Sequence, residues 1–83
     1  MSLNTDFEKA QIDVKTLTKR PSDMQLLNLY ALFKQATEGD VSGPKPGMFD
    51  MVAGAKYSAW KKLIGTTKEA AMQQYIDQVE SLF

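Results

Sequence analysis

Apolar residues recur at intervals of three and four along most of the chain, and this spacing predicts amphipathic helices. The first predicted helix runs from residue 4 to about residue 17, with Asn4 as its N-cap and Pro21 beyond its end. Its apolar positions are Phe7, Ala10, Val14 and Leu17. No stretch of the sequence alternates apolar and polar residues with the period of two that is typical of a half-buried strand.

The second predicted helix begins at Ser22 and Gln25, which have the spacing of a capping box. From Leu26 to Ala36 it is almost continuously apolar, and so wide an apolar arc cannot face only one neighbour. We therefore expect this helix to pack on two sides, or to line a groove that something else fills. Gly39 is the predicted left-handed cap at its end.

A connection rich in glycine and proline, residues 39–49, leads to a third predicted helix over residues 50–63. Gly65 ends this helix, and Thr66 with Glu69 forms the capping box that predicts a fourth. The inward positions of the fourth helix are Met72, Tyr75, Ile76, Val79 and either Leu82 or Phe83. The pattern as a whole predicts an all-α fold with four helices.

Composition narrows the classes of function. The 83 residues are expected to form a single domain, residues 1–83. The chain has neither cysteine nor histidine, so it lacks thiolate and imidazole ligands and the commonest general base. No metal site and no catalytic residue is predicted. Ten basic and ten acidic residues give a net charge of zero, which argues against nucleic-acid binding. Since the sequence shows no membrane span or signal sequence, we expect a cytoplasmic monomer.

A candidate binding stripe lies on the second predicted helix. Tyr30 and Lys34 are four residues apart and stand one turn apart on the same face, with Phe33 beside them. Two rings, a hydroxyl and an ammonium on one stripe can hold a base and a phosphate together. Periodicity alone favours the other interpretation, in which the two rings belong to the core and the lysine is solvated.

Separated motifs along the chain resemble the acyl-CoA-binding protein family. They are Tyr30-x-x-Phe33-Lys34-Gln-Ala-Thr-x-Gly-Asp, Pro46-Gly-Met-x-Asp50, Ala55-Lys56-Tyr57-x-Ala-Trp60, Gly65-Thr and Ala71-Met-x-x-Tyr75-Ile. The resemblance runs in order from about Phe7 to Leu82. It implies a bowl-shaped four-helix bundle with helices running up, down, down and up. It also implies one-to-one binding of medium- and long-chain acyl-CoA esters by an intracellular carrier and pool former in fatty acid metabolism.

The resemblance assigns roles toward the nucleotide of coenzyme A. Residues matching Tyr30, Lys34 and Lys56 hold the 3′-phosphate of the ribose in that family, and the residue matching Tyr75 contacts the adenine region. The full ligand-binding set that it predicts is Lys15, Met24, Leu26, Leu27, Tyr30, Ala31, Phe33, Lys34, Val52, Lys56 and Tyr75.

Further roles follow from the same resemblance. Lys15 and Phe33 match positions that lie against the nucleotide, while Met24, Leu26 and Leu27 match positions along the groove for the acyl chain. Three positions depart from the family pattern. Phe33 stands where the family often has tyrosine, and Val52 and Gly54 stand where many members carry lysine. These departures imply fewer polar and positive groups near the nucleotide.

Two other classes of function stay open beside the acyl-CoA carrier. The first is a helical protein-interaction module whose apolar groove takes a partner helix. The second is an acyl-CoA-processing enzyme, which is disfavoured because no acid–base pair is visible in the sequence. No cofactor is expected apart from the ligand, a fatty acyl-CoA. The expected partners are this ligand and, transiently, membranes or enzymes that use acyl-CoA.

Overall fold

The computed structural model describes residues 2–83, and Met1, the first residue of the predicted domain, lies outside the described residues. Four helices form: α1 (Leu3–Asp13), α2 (Asp23–Glu38), α3 (Met51–Lys61) and α4 (Lys68–Glu80), with a 3₁₀ turn (Val14–Thr16) after α1. Residues 2–83 contain no strand, which confirms the predicted all-α class. Over the same residues, no helix is long and apolar enough to cross a membrane.

The start of α2 and the start of α3 at Asp50 form as the sequence predicts, whereas α3 ends at Lys61 rather than at the predicted residue 63. Ser22 accepts a hydrogen bond from the backbone N–H of Gln25 at 3.2 Å, and the Gln25 side chain accepts one from the Ser22 N–H at 2.8 Å. This reciprocal capping box satisfies two N–H groups that have no partner inside the helix. Asp50 caps α3 by accepting from the Ala53 N–H at 3.1 Å. Gly39 ends α2 as predicted, with φ 82° and ψ −151°, a positive-φ conformation that favours glycine but lies outside the left-handed helical region of the predicted cap.

Two predicted N-caps are wrong by one or two residues. Ser2, rather than Asn4, caps α1 and accepts from the Thr5 N–H at 3.1 Å. Thr67, rather than Thr66, caps α4. In both cases a neighbouring residue has the same capping chemistry, so composition alone does not distinguish the two positions. The first helix is also shorter than expected, because the 3₁₀ turn replaces its last predicted turn.

Helix α2 lies between α3 on one side and α4 on the other, while α1 packs on α4. This confirms the expectation that the apolar arc of α2 faces two neighbours. The buried core consists of Phe7, Ala10, Leu29, Leu32, Ala36, Ala71, Tyr75, Ile76 and Val79. Over residues 2–83 the molecule is thin, with extents of 39 × 28 × 15 Å, and α3 packs chiefly on α2.

The directions of the helices follow from contacts at both ends of α2. Tyr30 of α2 contacts Lys56 of α3, and one turn further along α2, Lys34 contacts Trp60 of α3. Residue numbers therefore increase in the same direction along both helices, so α2 and α3 are parallel. The Gln35 side chain donates to a carbonyl in the turn before α4, so α4 returns antiparallel to α2. A parallel pair followed by an antiparallel helix matches the predicted order of down, down and up.

A buried polar residue joins the end of α2 to the turn before α4, a feature that the sequence did not predict. The Gln35 side chain is fully buried, and its amide donates to Asp40 Oδ1 at 2.9 Å and to the Thr66 carbonyl at 2.7 Å. Asp40 Oδ1 also accepts from the Gly65 N–H at 3.0 Å. These bonds hold the C-terminal end of α2, and with it the neighbouring end of α3, in a fixed position.

Candidate functional site

An open cleft of about 470 Å³ lies between α2 and the first half of α3. We call it the Tyr30 cleft. Its lining residues are Arg20, Asp23, Leu26, Leu27, Tyr30, Met51, Val52, Ala55 and Lys56. Its volume falls within the usual range for small-molecule sites in proteins. The cleft contains five members of the predicted ligand-binding set: Leu26, Leu27, Tyr30, Val52 and Lys56.

Helical spacing explains why these residues share one cleft. Leu26, Leu27 and Tyr30 lie within one turn of one another on α2 and project to the side that α4 does not cover. Met51 and Val52 occupy the first turn of α3, where their side chains are 81% and 66% exposed. Apolar side chains therefore form the walls of the cleft, and part of that apolar surface faces solvent.

A cation and an aromatic ring meet at the end of the apolar walls. The Lys56 ammonium lies 5.1 Å from the centroid of the Tyr30 ring, within the range of a cation–π interaction. This contact joins α3 to α2 and keeps the positive charge beside the Tyr30 ring. A cation and a hydroxyl at one end of an apolar cleft are suited to bind an amphiphile with an anionic head group.

Lys34 lies one helical turn beyond Tyr30 on α2. Its side chain is 24% exposed, its ammonium lies 5.0 Å from the centroid of the Trp60 ring, and it forms a salt bridge with Glu38. The hydrogen bond that the Lys34 ammonium donates to the Glu38 carboxylate raises the pKa of Lys34 above its ordinary value, so this group is a cation at neutral pH. The structure therefore brings Tyr30, Lys34 and Lys56 to one α2–α3 junction.

A second cleft, of about 500 Å³, adjoins the first, and we call it the Gln74 cleft. It contains Met24, Leu27 and Ala31 of the predicted set. Leu27 and Ala55 line both clefts, so the two clefts meet at these side chains. The remaining lining is Asn28, Leu32, Ser58, Ala59, Lys62, Leu63, Gln74 and Gln78, which gives this cleft a more polar character than the first.

Lys34 lines neither cleft, and three other predicted site residues also lie outside them. Phe33 is half-buried and stacks on Phe7 with 6.1 Å between the ring centroids, and Tyr75 meets the same Phe7 ring edge-on at 5.1 Å. Burial raises the pKa of the Tyr75 phenol. Lys15 is exposed on the 3₁₀ turn after α1. The structure therefore places Phe33 and Tyr75 in one aromatic cluster of the core, with Lys15 on the surface.

Four residues of the Tyr30 cleft were not predicted as site residues: Arg20, Asp23, Met51 and Ala55. Met51 and Ala55 could have been found from the sequence, because they stand one turn apart on the same helix as Val52 and Lys56. Arg20 lies in the irregular segment before α2, where no periodicity predicts its neighbours. Its guanidinium pairs with Asp23 at 3.2 Å.

The chemistry of these residues is that of a binding site. Among residues 2–83, no group of three histidine, cysteine, aspartate or glutamate side chains is placed to hold a metal ion. The charged groups that the Tyr30 cleft does contain are Arg20, Asp23 and Lys56. These groups and the apolar walls are suited to recognise charge and shape.

Comparisons with known proteins agree on one family. The family model described as acyl CoA binding protein matches residues 4–79. The acyl-CoA-binding protein homolog of Drosophila melanogaster is 51% identical over 80 residues, which cover 96% of this chain and 93% of that relative. The crystal structure of Oryza sativa acyl-CoA-binding protein 2 superposes with a TM-score of 0.92 at 41% identity, covering 98% of this chain and 90% of that one.

A third similarity is to part of a larger protein. The enoyl-CoA delta isomerase 2 of Homo sapiens is 52% identical over 77 residues, which are 93% of this chain and only 20% of the isomerase. Because the match covers a fifth of that relative, its isomerase activity is not transferred to this chain. On the family match, the sequence identity and the shared fold together, this chain belongs to the acyl-CoA-binding protein family, a family of binding proteins rather than of catalysts.

Proposed function

We propose that this protein binds medium- and long-chain acyl-CoA esters one to one and serves as an intracellular carrier and pool former for them. The observation that carries the proposal is the Tyr30 cleft, whose apolar walls end at the Lys56 ammonium and the Tyr30 ring. An acyl-CoA ester likewise has an apolar part and a charged part, since an apolar chain is joined to a phosphorylated nucleotide. Membership of the family supports the same ligand class.

The 3′-phosphate of coenzyme A is the proposed ligand of the α2–α3 junction. Lys56 and Lys34 lie on facing helices, and each ammonium is held against an aromatic ring of the other helix. Charge-assisted hydrogen bonds to phosphate are roughly twice as strong as neutral ones, so two lysines and the Tyr30 hydroxyl supply a strong anchor. The spacing of one turn between Tyr30 and Lys34 places these two groups along one edge of α2, and Lys56 meets that edge from α3.

The acyl chain is proposed to lie along the adjoining walls of the two clefts. Leu26 and Val52 line the Tyr30 cleft, Met24 and Ala31 line the Gln74 cleft, and Leu27 lines both. Burial of each methylene against such walls contributes up to about 0.8 kcal/mol. Affinity should therefore rise with chain length until the clefts are full, and coenzyme A alone should bind weakly.

The nucleotide base is proposed to lie against the surface formed by Lys15, Phe33 and the small exposed edge of Tyr75, whose ring is otherwise buried. Phe33 and Tyr75 both pack on the Phe7 ring, so this surface is rigid where the aromatic cluster reaches solvent. Lys15, on the exposed turn after α1, would then contribute charge at the rim of that surface. Rigid aromatic groups reduce the entropy that is lost when a ring stacks on them.

Isothermal titration with palmitoyl-CoA, octanoyl-CoA and free coenzyme A tests the proposal. We expect one-to-one binding, with palmitoyl-CoA tighter than octanoyl-CoA and coenzyme A weakest. Recovery of the ligand unchanged after incubation would separate a carrier from an enzyme that processes acyl-CoA. The absence of binding by any of the three ligands at micromolar concentration would refute the proposed function.

A second candidate function is a protein-interaction module that uses the same groove. It is favoured by the exposure of Met51 and Val52, which line one rim of the Tyr30 cleft, and of Met48 and Phe49 in the segment just before α3. An amphipathic partner helix could cover such a rim. This candidate predicts partner binding that depends neither on a 3′-phosphate nor on acyl length, so the same titrations distinguish the two functions.

The carrier role defines the proposed partners. A protein that keeps a detergent-like thioester in solution must receive it from, and deliver it to, membranes or enzymes that use acyl-CoA, so contacts with them are proposed to be transient. We propose that it does so in the cytoplasm as a monomer. The open clefts support this role, because a ligand can leave a partly open site without global unfolding.

A further inference from the structure

We infer that Glu38 is an internal competitor of the ligand phosphate for Lys34, and that its carboxylate lowers the affinity of this chain for 3′-phosphorylated ligands. The inference rests on the proposed function, because it assigns an affinity-determining residue to the same site. Glu38 itself belongs neither to the predicted ligand-binding set nor to the lining of either cleft.

Two groups surround the Lys34 ammonium in the structure. The Glu38 carboxylate forms a salt bridge with it from the next turn of α2, and the Trp60 ring lies on it from α3 at 5.0 Å. An ammonium has three N–H donors, so a phosphate must approach Lys34 from the remaining open side or displace the carboxylate. The Glu38 side chain is 49% exposed, so it is free to move away into solvent.

The pair contributes little to the stability of α2. Lysine precedes glutamate in the sequence, which is the less favourable order for a pair four residues apart on a helix. Glu38 is also the last residue of α2, where a negative charge faces the negative end of the helix dipole. The end of the helix is held instead by the Gly39 cap and by the Gln35 side chain. Removal of the carboxylate should therefore leave the fold intact.

The carboxylate can weaken binding in two ways. Displacement of Glu38 costs the free energy of the exposed salt bridge, which is small because solvent and salt screen it. A displaced carboxylate stays within a side chain's reach of the bound phosphate and repels it. Together these effects should reduce the affinity for a 3′-phosphorylated ligand by roughly three- to tenfold at low ionic strength.

Glu38→Gln tests the inference, with Glu38→Ala as a second variant that excludes an effect of the new amide. Each is titrated with palmitoyl-CoA and with 3′-dephospho-palmitoyl-CoA. The matched control is Asp13→Asn, which removes the carboxylate of the Lys9–Asp13 salt bridge, another pair four residues apart. We expect both Glu38 variants to bind palmitoyl-CoA roughly three- to tenfold more tightly than the parent, with a smaller gain at high salt. The dephospho ligand and the control should show little change.

Other results would overturn the inference. If the Glu38 variants bound both ligands more tightly by the same factor, or if Asp13→Asn also raised the affinity for palmitoyl-CoA, the effect would be explained by the overall surface charge. Unchanged or weaker binding of palmitoyl-CoA by the Glu38 variants would mean that Glu38 does not compete with the phosphate. Failure of the parent protein to bind either ligand is a different result, since it would refute the proposed function itself.

Discussion

Lys56 of α3 lies with its ammonium 5.1 Å from the centroid of the Tyr30 ring of α2. The contact joins α3 to α2, the helix on which α3 packs. It also places a positive charge at the point where the apolar walls of the Tyr30 cleft end. A single side chain thus connects packing between two helices with recognition of an anionic ligand.

Replacement of Lys56 by methionine should weaken binding of palmitoyl-CoA by about 1.5–3 kcal/mol, the usual contribution of a hydrogen bond to a charged group. Methionine keeps most of the length of the side chain and its packing on Tyr30 while removing the charge. Binding of 3′-dephospho-palmitoyl-CoA should change little, because the proposed phosphate partner is absent. Titration calorimetry of both ligands measures the difference.

Lys61→Met on the same helix provides the matched control, since Lys61 is exposed and lines neither cleft. It removes the same charge from the protein and should leave both affinities close to those of the parent. Equal losses for the two ligands in Lys56→Met would contradict the assignment of Lys56 to the 3′-phosphate.

Much of the helical framework could be predicted because capping and periodicity are local. The Ser22–Gln25 box, the Asp50 cap and the Gly39 end each depend on residues within a few positions of one another. The predicted boundaries failed where two neighbouring residues have the same capping chemistry, as at Thr66 and Thr67. In that case the residue that becomes the N-cap depends on the conformation of the preceding turn, which tertiary contacts determine.

The long-range contacts could not be predicted from local pattern. Gln35 interrupts the apolar stripe of α2, and nothing near it in the sequence indicates that the Thr66 carbonyl will receive its amide. The meeting of Tyr30 with Lys56 was implied only by the family resemblance, since the two residues lie on different helices. By contrast, the pair of Lys34 with Glu38 follows from a spacing of four.

Gly54→Ala should stabilise the protein by about 0.5–1 kcal/mol, because alanine has a higher helix propensity than glycine. Gly54 lies inside α3, and a Cβ atom added there meets nothing within 4 Å. In a domain of this size the gain corresponds to a rise in Tm of several degrees, which calorimetry can measure. Gly65→Ala is the contrasting variant and should destabilise, because Gly65 has φ +92°. A lower Tm for Gly54→Ala would contradict the open surroundings of this residue.

Ala55→Phe should block the junction of the two clefts, since Ala55 lines both of them and is exposed. We expect the affinity for palmitoyl-CoA to fall at least tenfold, the affinity for octanoyl-CoA to fall less, and the affinity for free coenzyme A to change little. The reason is that a longer chain loses more buried methylenes, each of which contributes up to about 0.8 kcal/mol. Equilibrium titration of the three ligands measures the series.

The control for this variant is Ala70→Phe, which adds the same ring to an exposed position of α4 that lines neither cleft. It should leave the order and strength of binding unchanged. Identical losses for palmitoyl-CoA and octanoyl-CoA in Ala55→Phe would show that the acyl chain does not pass between Leu27 and Ala55.

Stability at acidic pH should depend on Asp40. The hydrogen bond from the Gly65 N–H, followed by that from Gln35, holds the pKa of the Asp40 carboxyl below its ordinary value. A group with a lowered pKa in the folded state contributes stability that is fully present above its unfolded pKa of about 4 and is lost as pH falls through the folded value. Asp40→Asn removes this contribution, because an amide does not titrate.

We therefore expect Asp40→Asn to be less stable than the parent at pH 7, and the difference to shrink as pH falls below about 4. Urea unfolding of both proteins at several pH values between 7 and 3 measures the two free energies of unfolding. The parent should show the steeper loss on acidification, since only the parent must protonate a carboxylate that holds two hydrogen bonds. A difference that stays constant down to pH 3 would mean that Asp40 does not link the end of α2 to the turn before α4 through its charge.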